Sequence, residues 1–323
     1  MYHPSTTSYQ KHRGFVRTFN AGRLSLGLFF PIEAFQGDTP TMSHQVALAR
    51  RAEAFGFSAL WFRDVPLRDR SFGDVGQVFD PWVYLGFIAA QTSTIALGTA
   101  SIAIPLRNPL HTAKAAASVD QLSGGRFLMG VASGDRAVEF PAFDVDPDQL
   151  GDIFREHLEV IRKAQRTSFE PLQWSRGRLA NADLIPKPTT NEIPFFVTGN
   201  SRQSMEWIAR ESSGWLTYPR QPQVQEGMVA KWRVLVKAQS GDTYKPFLQS
   251  LYIDLDAHPD APPEPIHLGY RLGRDHLLAL LELLESIGVD HVILNLKYGR
   301  RPAEEVMNEL GSYIVPRFGA PTP

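Results

Sequence analysis

A turn of small and polar residues follows the fifth strongly apolar run of the sequence, and it carries groups that could hold a phosphate. The run ends at Thr198, and Gly199, Asn200 and Ser201 come next. We predict a helix that starts at Ser201, and the unpaired N–H groups and dipole of a helix N-terminus favour an anion. Asn and Ser are also common helix caps. The turn is therefore either a phosphate site or an ordinary cap.

Residues that could take part in chemistry also end four other apolar runs. They are Arg63 and Asp64 after the second run, Ala100 and Ser101 after the third, Ser133 and Gly134 after the fourth, and Tyr218 and Arg220 after the sixth. The charged pair could orient a substrate or relay a proton, or it could be an ion pair that holds a loop. Ala100 and Ser101 could admit a flat ligand to the backbone, or they could fill a crowded layer of the core. The backbone N–H groups around Ser133 and Gly134, with Arg136 nearby, could hold an anion, or they could belong to an ordinary turn. Tyr218 and Arg220 could wall a pocket, or the tyrosine could belong to the core together with Trp215.

All of these residues lie at the end of an apolar run, just before the next predicted helix. The chain alternates short apolar runs with amphipathic helices eight times. The runs cover residues 24–30, 58–63, 95–104, 127–133, 195–198, 213–217, 248–255 and 291–296. Helices are predicted from a cap at Thr41 or Ser43 to Gly56, from Asp80, over 109–122, over 149–166, from 201, over 224–239, over 273–287 and from about 302. Strict alternation predicts a parallel sheet, and eight units favour an α/β fold of the (β/α)8 TIM-barrel type. In such barrels the site lies at the carboxyl ends of the strands, where the residues above would meet.

Three longer stretches interrupt this alternation. Residues 135–148 follow the fourth strand, residues 169–194 precede the fifth, and residues 256–271 follow the seventh. Long loops are often lids or binding loops, so we expect the first and third stretches at the barrel mouth, with 256–271 as a lid. The second stretch is expected to be a hairpin that covers an edge.

Composition excludes several classes of function. The 323 residues include 33 basic and 34 acidic side chains, and this balance indicates neither nucleic acid nor a membrane surface as a partner. There is no cysteine, which excludes disulfides and thiolate chemistry. The nine histidines show no metal-ligand spacing, so no metal is expected, and His291 is expected at an exposed strand edge. No nucleotide-binding or hydrolase motif is present.

The N-terminal stretch is polar and lacks the apolar core of a signal peptide. We expect residues 1–22 to form a flexible arm and residues 23–323 to form a single barrel domain. No apolar run approaches the ~20 residues needed to cross a bilayer. Together with the absence of cysteine, these features suit a cytoplasmic protein.

The third and fourth runs carry the most specific signal in the sequence. The segment IALGTASIAIPLRNPLHTAKAAASVDQLSGGRFLMGVASGD spans residues 95–135. Its order of G-T-A, a proline, N-P, a helix, L-S-G-G-R and G-x-x-x-G closely resembles that of the bacterial-luciferase-like flavin-dependent monooxygenases. The first strand, residues 52–57 and the turn after the fifth strand also fit, so the resemblance covers roughly residues 24–240.

The resemblance implies a (β/α)8 barrel that binds FMN or, in one branch, coenzyme F420. Carried over position by position, Ala100 and Ser101 would lie beneath the flavin ring, where the family often has a non-prolyl cis peptide bond. Ser133 and Gly134 would lie near the flavin side chain and phosphate. The phosphate turn would consist of Thr198, Gly199, Asn200 and Ser201, and Tyr218 and Arg220 would line the pocket.

The sequence departs from the family at two places. Many relatives carry Glu-His after the second strand, with the His as a proposed proton donor, whereas this chain has Arg63 and Asp64. Asp64 could relay a proton if burial raised its pKa. Ala132 occupies the position where some luciferases have a cysteine, so a thiol role is excluded and light emission from an aldehyde is not expected.

The chemistry that the resemblance implies is a monooxygenase reaction with reduced FMN and O2 on a small organic substrate. A separate flavin reductase would supply the reduced FMN, and many relatives are homodimers packed through the second and third helices. The expected apolar pocket residues are Phe29, Phe30, Trp61 and Phe62. Two alternatives remain: an F420-dependent dehydrogenase or reductase on the same fold, and a flavin-binding or assembly protein that has lost catalysis.

Overall fold

The eight apolar runs form eight parallel strands that close into a barrel in the computed structural model, which describes residues 8–319. The strands of the protein are β1 Ser25–Phe29, β2 Ala59–Phe62, β3 Ala96–Thr99, β4 Ile102–Ala103, β5 Phe127–Ala132, β6 Leu172–Trp174, β7 Gly177–Leu179, β8 Phe195–Thr198, β9 Gly214–Thr217, β10 Phe247–Leu255, β11 Glu264–Ile266, β12 Gly269–Leu272 and β13 His291–Asn295. The barrel order is β1, β2, β3, β5, β8, β9, β10 and β13, and β13 pairs with β1 in parallel. The predicted (β/α)8 barrel is therefore confirmed.

The helices of the protein are α1 Arg13–Thr18, α2 Gln45–Phe55, α3 Pro81–Ala89, α4 Pro109–Leu122, α5 Glu139–Ala142, α6 Leu150–Arg166, α7 Met205–Glu211, α8 Pro222–Ser240, α9 Arg274–Ser286, α10 Ala303–Glu309 and α11 Val315–Phe318. Most of the helices cover the outside of the barrel, whereas α1 lies at one end of it and α5 lies beside a cavity at the other end. A π-helical segment, Leu310–Ile314, joins the last two helices. No helix within residues 8–319 is both long enough and apolar enough to cross a membrane.

The predictions for the start of α3 and for the end of α2 are confirmed. The Asp80 carboxylate accepts hydrogen bonds from two N–H groups in the first turn of α3, and Gly56 ends α2 with a φ of 90°. The prediction that Thr41 or Ser43 caps α2 is wrong, because the helix starts after His44. The hydroxyl of Thr41 instead donates a hydrogen bond to the hydroxyl of Ser43 at 2.9 Å.

Successive strand residues point alternately into the barrel and toward the helices, as the strand period requires. Trp61 lies inside the barrel, where it packs in one cluster with Phe29 and Phe196. A Cβ at Gly98 would lie 2.4 Å from the Trp61 ring, so only glycine leaves room for it there.

His291 also lies inside the barrel, and the expectation that it sits at an exposed edge is wrong. The side chain is fully buried, and its Nε2 accepts a hydrogen bond from the indole N–H of Trp61 at 3.0 Å. Its Nδ1 lies 2.7 Å from the hydroxyl of Ser25. Burial lowers the pKa of His291 to about 3, so the imidazole is neutral.

The N-terminal stretch, expected to be an arm, packs against the barrel in the part that the structure describes. Tyr9, Phe15 and Phe19 are buried and join the cluster inside the barrel. The Nε2 of His12 lies 2.7 Å from the Asp120 carboxylate, and both side chains are fully buried. Residues 8–19 therefore form a plug of aromatic side chains at one end of the barrel; residues 1–7 lie outside the described range.

The insertions contain short strands and helices of their own. The stretch 169–194 contains the antiparallel hairpin of β6 and β7, as expected. The stretch 256–271 contains β11 and most of β12, and β12 pairs in parallel with the outer half of β10. A Cβ at Gly269 would lie 1.8 Å from the carbonyl oxygen of Tyr252, so this pairing depends on the glycine. The stretch 135–148 contains α5.

Candidate functional site

A cavity of about 610 Å³ lies at the carboxyl ends of the barrel strands. Its volume is within the range of ligand pockets, ~300–1,000 Å³. Residues from strands on opposite sides of the barrel line it, together with residues of the loops that follow them. This is the end of a (β/α)8 barrel at which enzyme sites are built.

One side of the cavity is made of small residues, and we call it the floor. The floor consists of Ala100, Ser101, Ala132, Ser133, Gly134, Thr198, Gly199 and Ser201, all of which line the cavity. None of these side chains extends more than two heavy atoms beyond Cα, so they leave a slot for a flat ring system. The Ala100–Ser101 peptide bond is cis, as the family resemblance implies.

The floor is continuous because β3, β5 and β8 approach closely at this end. A Cβ at Gly130 would lie 1.9 Å from the carbonyl oxygen of Thr99, so a larger residue would push β3 and β5 apart. The hydroxyls of Ser101 and Thr198 are hydrogen-bonded to each other across the floor. The sequence therefore places glycine where two backbones must approach and short hydroxyl side chains where the floor must stay flat.

The turn after β8 differs from its prediction, because no helix starts at Ser201. The helix α7 starts at Met205, and its cap is Ser204, whose hydroxyl accepts the N–H of Trp207. The N–H of Gly199 already donates to the carbonyl oxygen of Leu216. The hydroxyl of Ser201 donates to the carbonyl oxygen of Thr198 at 2.7 Å. An anion at this turn would therefore meet an irregular loop and not the N-terminus of a helix.

Asp64 lines the cavity, but an arginine occupies its carboxylate. Arg107 donates to both carboxylate oxygens, at 2.9 and 2.7 Å, and the N–H of Ala103 approaches one of them at 3.3 Å. Only 1% of the Asp64 side chain is exposed. Because both of its oxygens are hydrogen-bonded, Asp64 is better suited to hold a loop through an ion pair than to relay a proton.

Arg63 also lines the cavity and belongs to a second charged group. Its guanidinium donates to the Asp74 carboxylate at 2.7 Å, and the ammonium of Lys297 lies 3.4 Å from the same carboxylate. Burial alone would raise the pKa of Asp74, but the charge and hydrogen bond of Arg63, the N–H of Gly76 and the charge of Lys297 together outweigh burial, and the pKa is lowered. Two cations thus surround one carboxylate at the rim of the cavity, which leaves an excess of positive charge.

Glu139 is a buried carboxyl group that sequence reasoning missed. It lies in the first turn of α5, lines the cavity and is 2% exposed. Its Oε1 has no hydrogen-bond partner within residues 8–319. Burial, reinforced by the negative charges of Asp64 and Asp135, raises the pKa of Glu139 to about 7. A carboxyl group in this state can hold a proton near neutral pH.

The side of the cavity opposite the floor is aromatic, and we call it the aromatic wall. It consists of Tyr218 after β9, Tyr252 on β10, His267 between β11 and β12, and Tyr298 after β13. Sequence reasoning found only Tyr218. Strand periodicity could have found Tyr252, because Leu248, Ser250 and Tyr252 alternate with outward-facing residues along β10. No comparable signal exists for His267, whose position depends on the path of a loop.

Five of the predicted site residues do not line the cavity. Phe30 and Phe62 point outward into the core between barrel and helices, and Trp61 fills the barrel interior. Asn200 and Arg220 are also absent from the cavity surface, and the guanidinium of Arg220 donates to the carbonyl oxygen of Tyr218 at 3.0 Å. The predicted residues that the structure does bring together are Phe29, Arg63, Asp64, Tyr218 and all of the predicted floor residues.

Comparison with known proteins places this chain in a family. Residues 24–251 match the family model described as luciferase-like monooxygenase. An uncharacterized protein of Mycobacterium tuberculosis (strain ATCC 25618 / H37Rv) is 31% identical over 196 residues, which cover 56% of this chain and 69% of that protein. The alkanal monooxygenase alpha chain of Photorhabdus luminescens is 24% identical over 173 residues, covering 53% of this chain and 46% of the relative.

Solved structures share the fold. A monooxygenase from Streptomyces bottropensis superposes with a TM-score of 0.76 at 17% identity, covering 91% of this chain and all of that chain. An F420-dependent secondary alcohol dehydrogenase, solved with an F420–acetone adduct, superposes with a TM-score of 0.74 at 17% identity, covering 90% and 98% of the two chains. At such identities the likeness concerns the fold alone.

Proposed function

The chain belongs to the luciferase-like monooxygenase family of enzymes, and we propose that it is an FMN-dependent monooxygenase that transfers one oxygen atom of O2 to a small organic molecule. The observation that carries the proposal is the floor, a flat surface of small residues at the carboxyl ends of β3, β5 and β8. A ring system of the flavin type needs such a surface, and the rest of the cavity remains open above it.

The residues of the floor fit a flavin. Ala100 and Ser101 would lie beneath the ring, and Ser133, Gly134 and Ser201 would lie along the side chain and phosphate. The turn after β8 could also donate backbone hydrogen bonds to the phosphate, because the N–H groups of residues 200–202 have no partner within residues 8–319. Bound reduced FMN supplies the electrons that activate O2.

The remaining residues of the site have tasks that their contacts suggest. The hairpin of β11 and β12 contributes His267 and Leu268 to the cavity surface, and we assign it the role of a lid that keeps water out. Asp64 holds Arg107 and thereby the loop after β4, which makes it a positioning residue. Glu139 is the carboxyl group of the cavity best suited to hold a proton during the reaction.

Oxygen consumption tests the proposal against its alternatives. The protein is supplied with chemically or enzymatically reduced FMN and a panel of small organic substrates, and O2 uptake and oxygenated products are measured together. We expect product formation that matches substrate-dependent O2 uptake. Hydride transfer to or from coenzyme F420 without O2 uptake would select the F420-dependent alternative. Flavin binding without any turnover would select the non-catalytic alternative.

Two partners belong to the proposal. One is a flavin reductase that supplies the reduced FMN, as the resemblance to the family implies. The other is a second copy of the chain. Helix α3 is apolar on every side, and Val83 and Phe87 are 73% and 50% exposed, with Phe79 just before the helix 51% exposed. A helix that is apolar all round is normally buried, so we propose a homodimer that packs through α3 and α4.

A further inference from the structure

The aromatic wall brings together rings from four separate segments of the chain, and three of these rings contact one another. The ring centroids of Tyr252 and Tyr298 lie 5.2 Å apart, and His267 lies 5.9 Å from each of them. These separations are those of favourable aromatic contacts. The wall is therefore a built surface and not a chance grouping of exposed side chains, and it faces the floor across the cavity.

The tyrosine hydroxyls of the wall are free to donate hydrogen bonds. None of the hydroxyls of Tyr218, Tyr252 and Tyr298 has a hydrogen-bond partner within residues 8–319. Tyr252 is only 8% exposed, and it lines the cavity, so a ligand there can reach its hydroxyl. Burial raises the pKa of all three, so they remain protonated donors at neutral pH. The wall thus offers donors that lack an acceptor.

Positive charge lies directly behind this wall. The Lys297 ammonium is 5.5 Å from the centre of the Tyr298 ring. The charge of the Arg63 guanidinium also acts on the hydroxyls of Tyr252 and Tyr298. Asp74 is the carboxylate paired with both cations. Two cations against the single carboxylate of Asp74 leave one positive charge beside the wall. Tyrosine donors next to such a charge favour an anionic acceptor over a neutral one.

We propose that the aromatic wall binds a planar aromatic substrate through a carboxylate group, which accepts hydrogen bonds from Tyr252 and Tyr298. The inference rests on the proposed function, because the floor must be left to the flavin ring. A carboxylate is preferred to a phenol because only the carboxylate is ionised at neutral pH without help from the protein. The rings of the wall then contact the faces or edges of the substrate ring.

Calorimetric titration with two matched probes, run with and without saturating FMN, tests the proposal. The probes are 2-naphthoate and 2-naphthamide, which share ring and size but differ in charge. We expect naphthoate to bind the wild-type protein at least about tenfold more tightly than naphthamide, because hydrogen bonds to a charged acceptor are the stronger ones. Tyr252→Phe and, separately, Lys297→Gln should each lower this preference several-fold. Tyr313→Phe is the matched control, because Tyr313 is 58% exposed on the π-helical segment and does not line the cavity.

Equal affinities of the wild-type protein for naphthoate and naphthamide would overturn the proposal. An affinity ratio that is unchanged in both variants would also overturn it. FMN is titrated into the same preparation, so that the two ideas fail separately. FMN binding without a preference for naphthoate would overturn the carboxylate wall and leave the flavin enzyme standing. A preference for naphthoate without binding of FMN would overturn the proposed function and leave the carboxylate site standing.

Discussion

Replacing Glu139 by Gln should change how the stability of this protein depends on pH. Burial, with the charges of Asp64 and Asp135, raises the pKa of Glu139 to about 7, although Arg136 acts in the opposite direction. In the unfolded chain the group titrates near its ordinary value of 4.5. Between these two values the folded protein keeps a proton that the unfolded chain releases. The free energy of unfolding therefore falls as pH rises through this window, and the full loss is present above pH 7.

The size of the effect follows from the shift. A rise from 4.5 to about 7 corresponds to about 3 kcal/mol at ~1.4 kcal/mol per pKa unit. This is an upper limit, because Glu139 lines a cavity that water can enter. A glutamine has nearly the same shape and does not ionise. The variant should therefore gain stability relative to the wild-type protein between pH 5 and pH 8, by about 1–3 kcal/mol.

Thermal unfolding followed by circular dichroism measures this difference at pH 5, 6, 7 and 8. The gap in Tm between Glu139→Gln and the wild-type protein should widen by roughly 2–5 °C over this range. Glu226→Gln is the matched control, because Glu226 is exposed on α8 and its variant should keep a constant gap. Parallel curves for the wild-type protein and Glu139→Gln would refute the reasoning that Glu139 is a buried, protonated carboxyl group.

Three further predictions concern the scaffold of the site. Phe15→Ala should destabilise the protein by about 3–4 kcal/mol in chemical unfolding, because it removes a buried ring from the aromatic plug. Val16→Ala is the control and should change little, because Val16 is 56% exposed. Equal effects of the two substitutions would show that the plug is not part of the core. Asp64→Asn should lower the Tm, because Arg107 loses its charged partner. The affinity for FMN should stay within about twofold of the wild-type value. A large loss of turnover at an unchanged Tm would instead show that Asp64 relays a proton. Val83→Asp should convert a homodimer to a monomer in sedimentation velocity, and a dimer that persists would place the interface elsewhere.

The sequence predicted the barrel well because eight strand–helix units leave few other arrangements. All eight strands lie within two residues of their predicted ends, apart from the third, which the structure divides at Ala100 and Ser101. The prediction that Phe30 and Phe62 wall the pocket did not use the strand period, and both residues point away from the barrel interior. The helix after β8 starts four residues late, since Ser204 and not Asn200 or Ser201 caps it.

The sequence predicted the floor of the site but not the residues that loops bring to it, and the difference has a physical reason. The floor lies on strand ends, whose positions follow from the local sequence pattern. Tyr298 and His267 reach the cavity through turns and a hairpin whose path depends on distant pairing, such as that of β12 with β10. Glu139 carries no signal in the sequence, because its unusual pKa arises from burial by loops that are far apart in the chain.

The most direct test of the flavin site is a titration of FMN into the wild-type protein and into Ala132→Phe, followed by quenching of flavin fluorescence. Ala132 lies in the middle of the floor, and a phenyl ring there would occupy the slot. We expect saturable binding by the wild-type protein, a loss of at least about a hundredfold in affinity in Ala132→Phe, and unchanged affinity in Val234→Phe, a substitution at a position on α8 that is 68% exposed. Equal affinity for FMN in the wild-type protein and Ala132→Phe would show that the flavin does not lie on the floor.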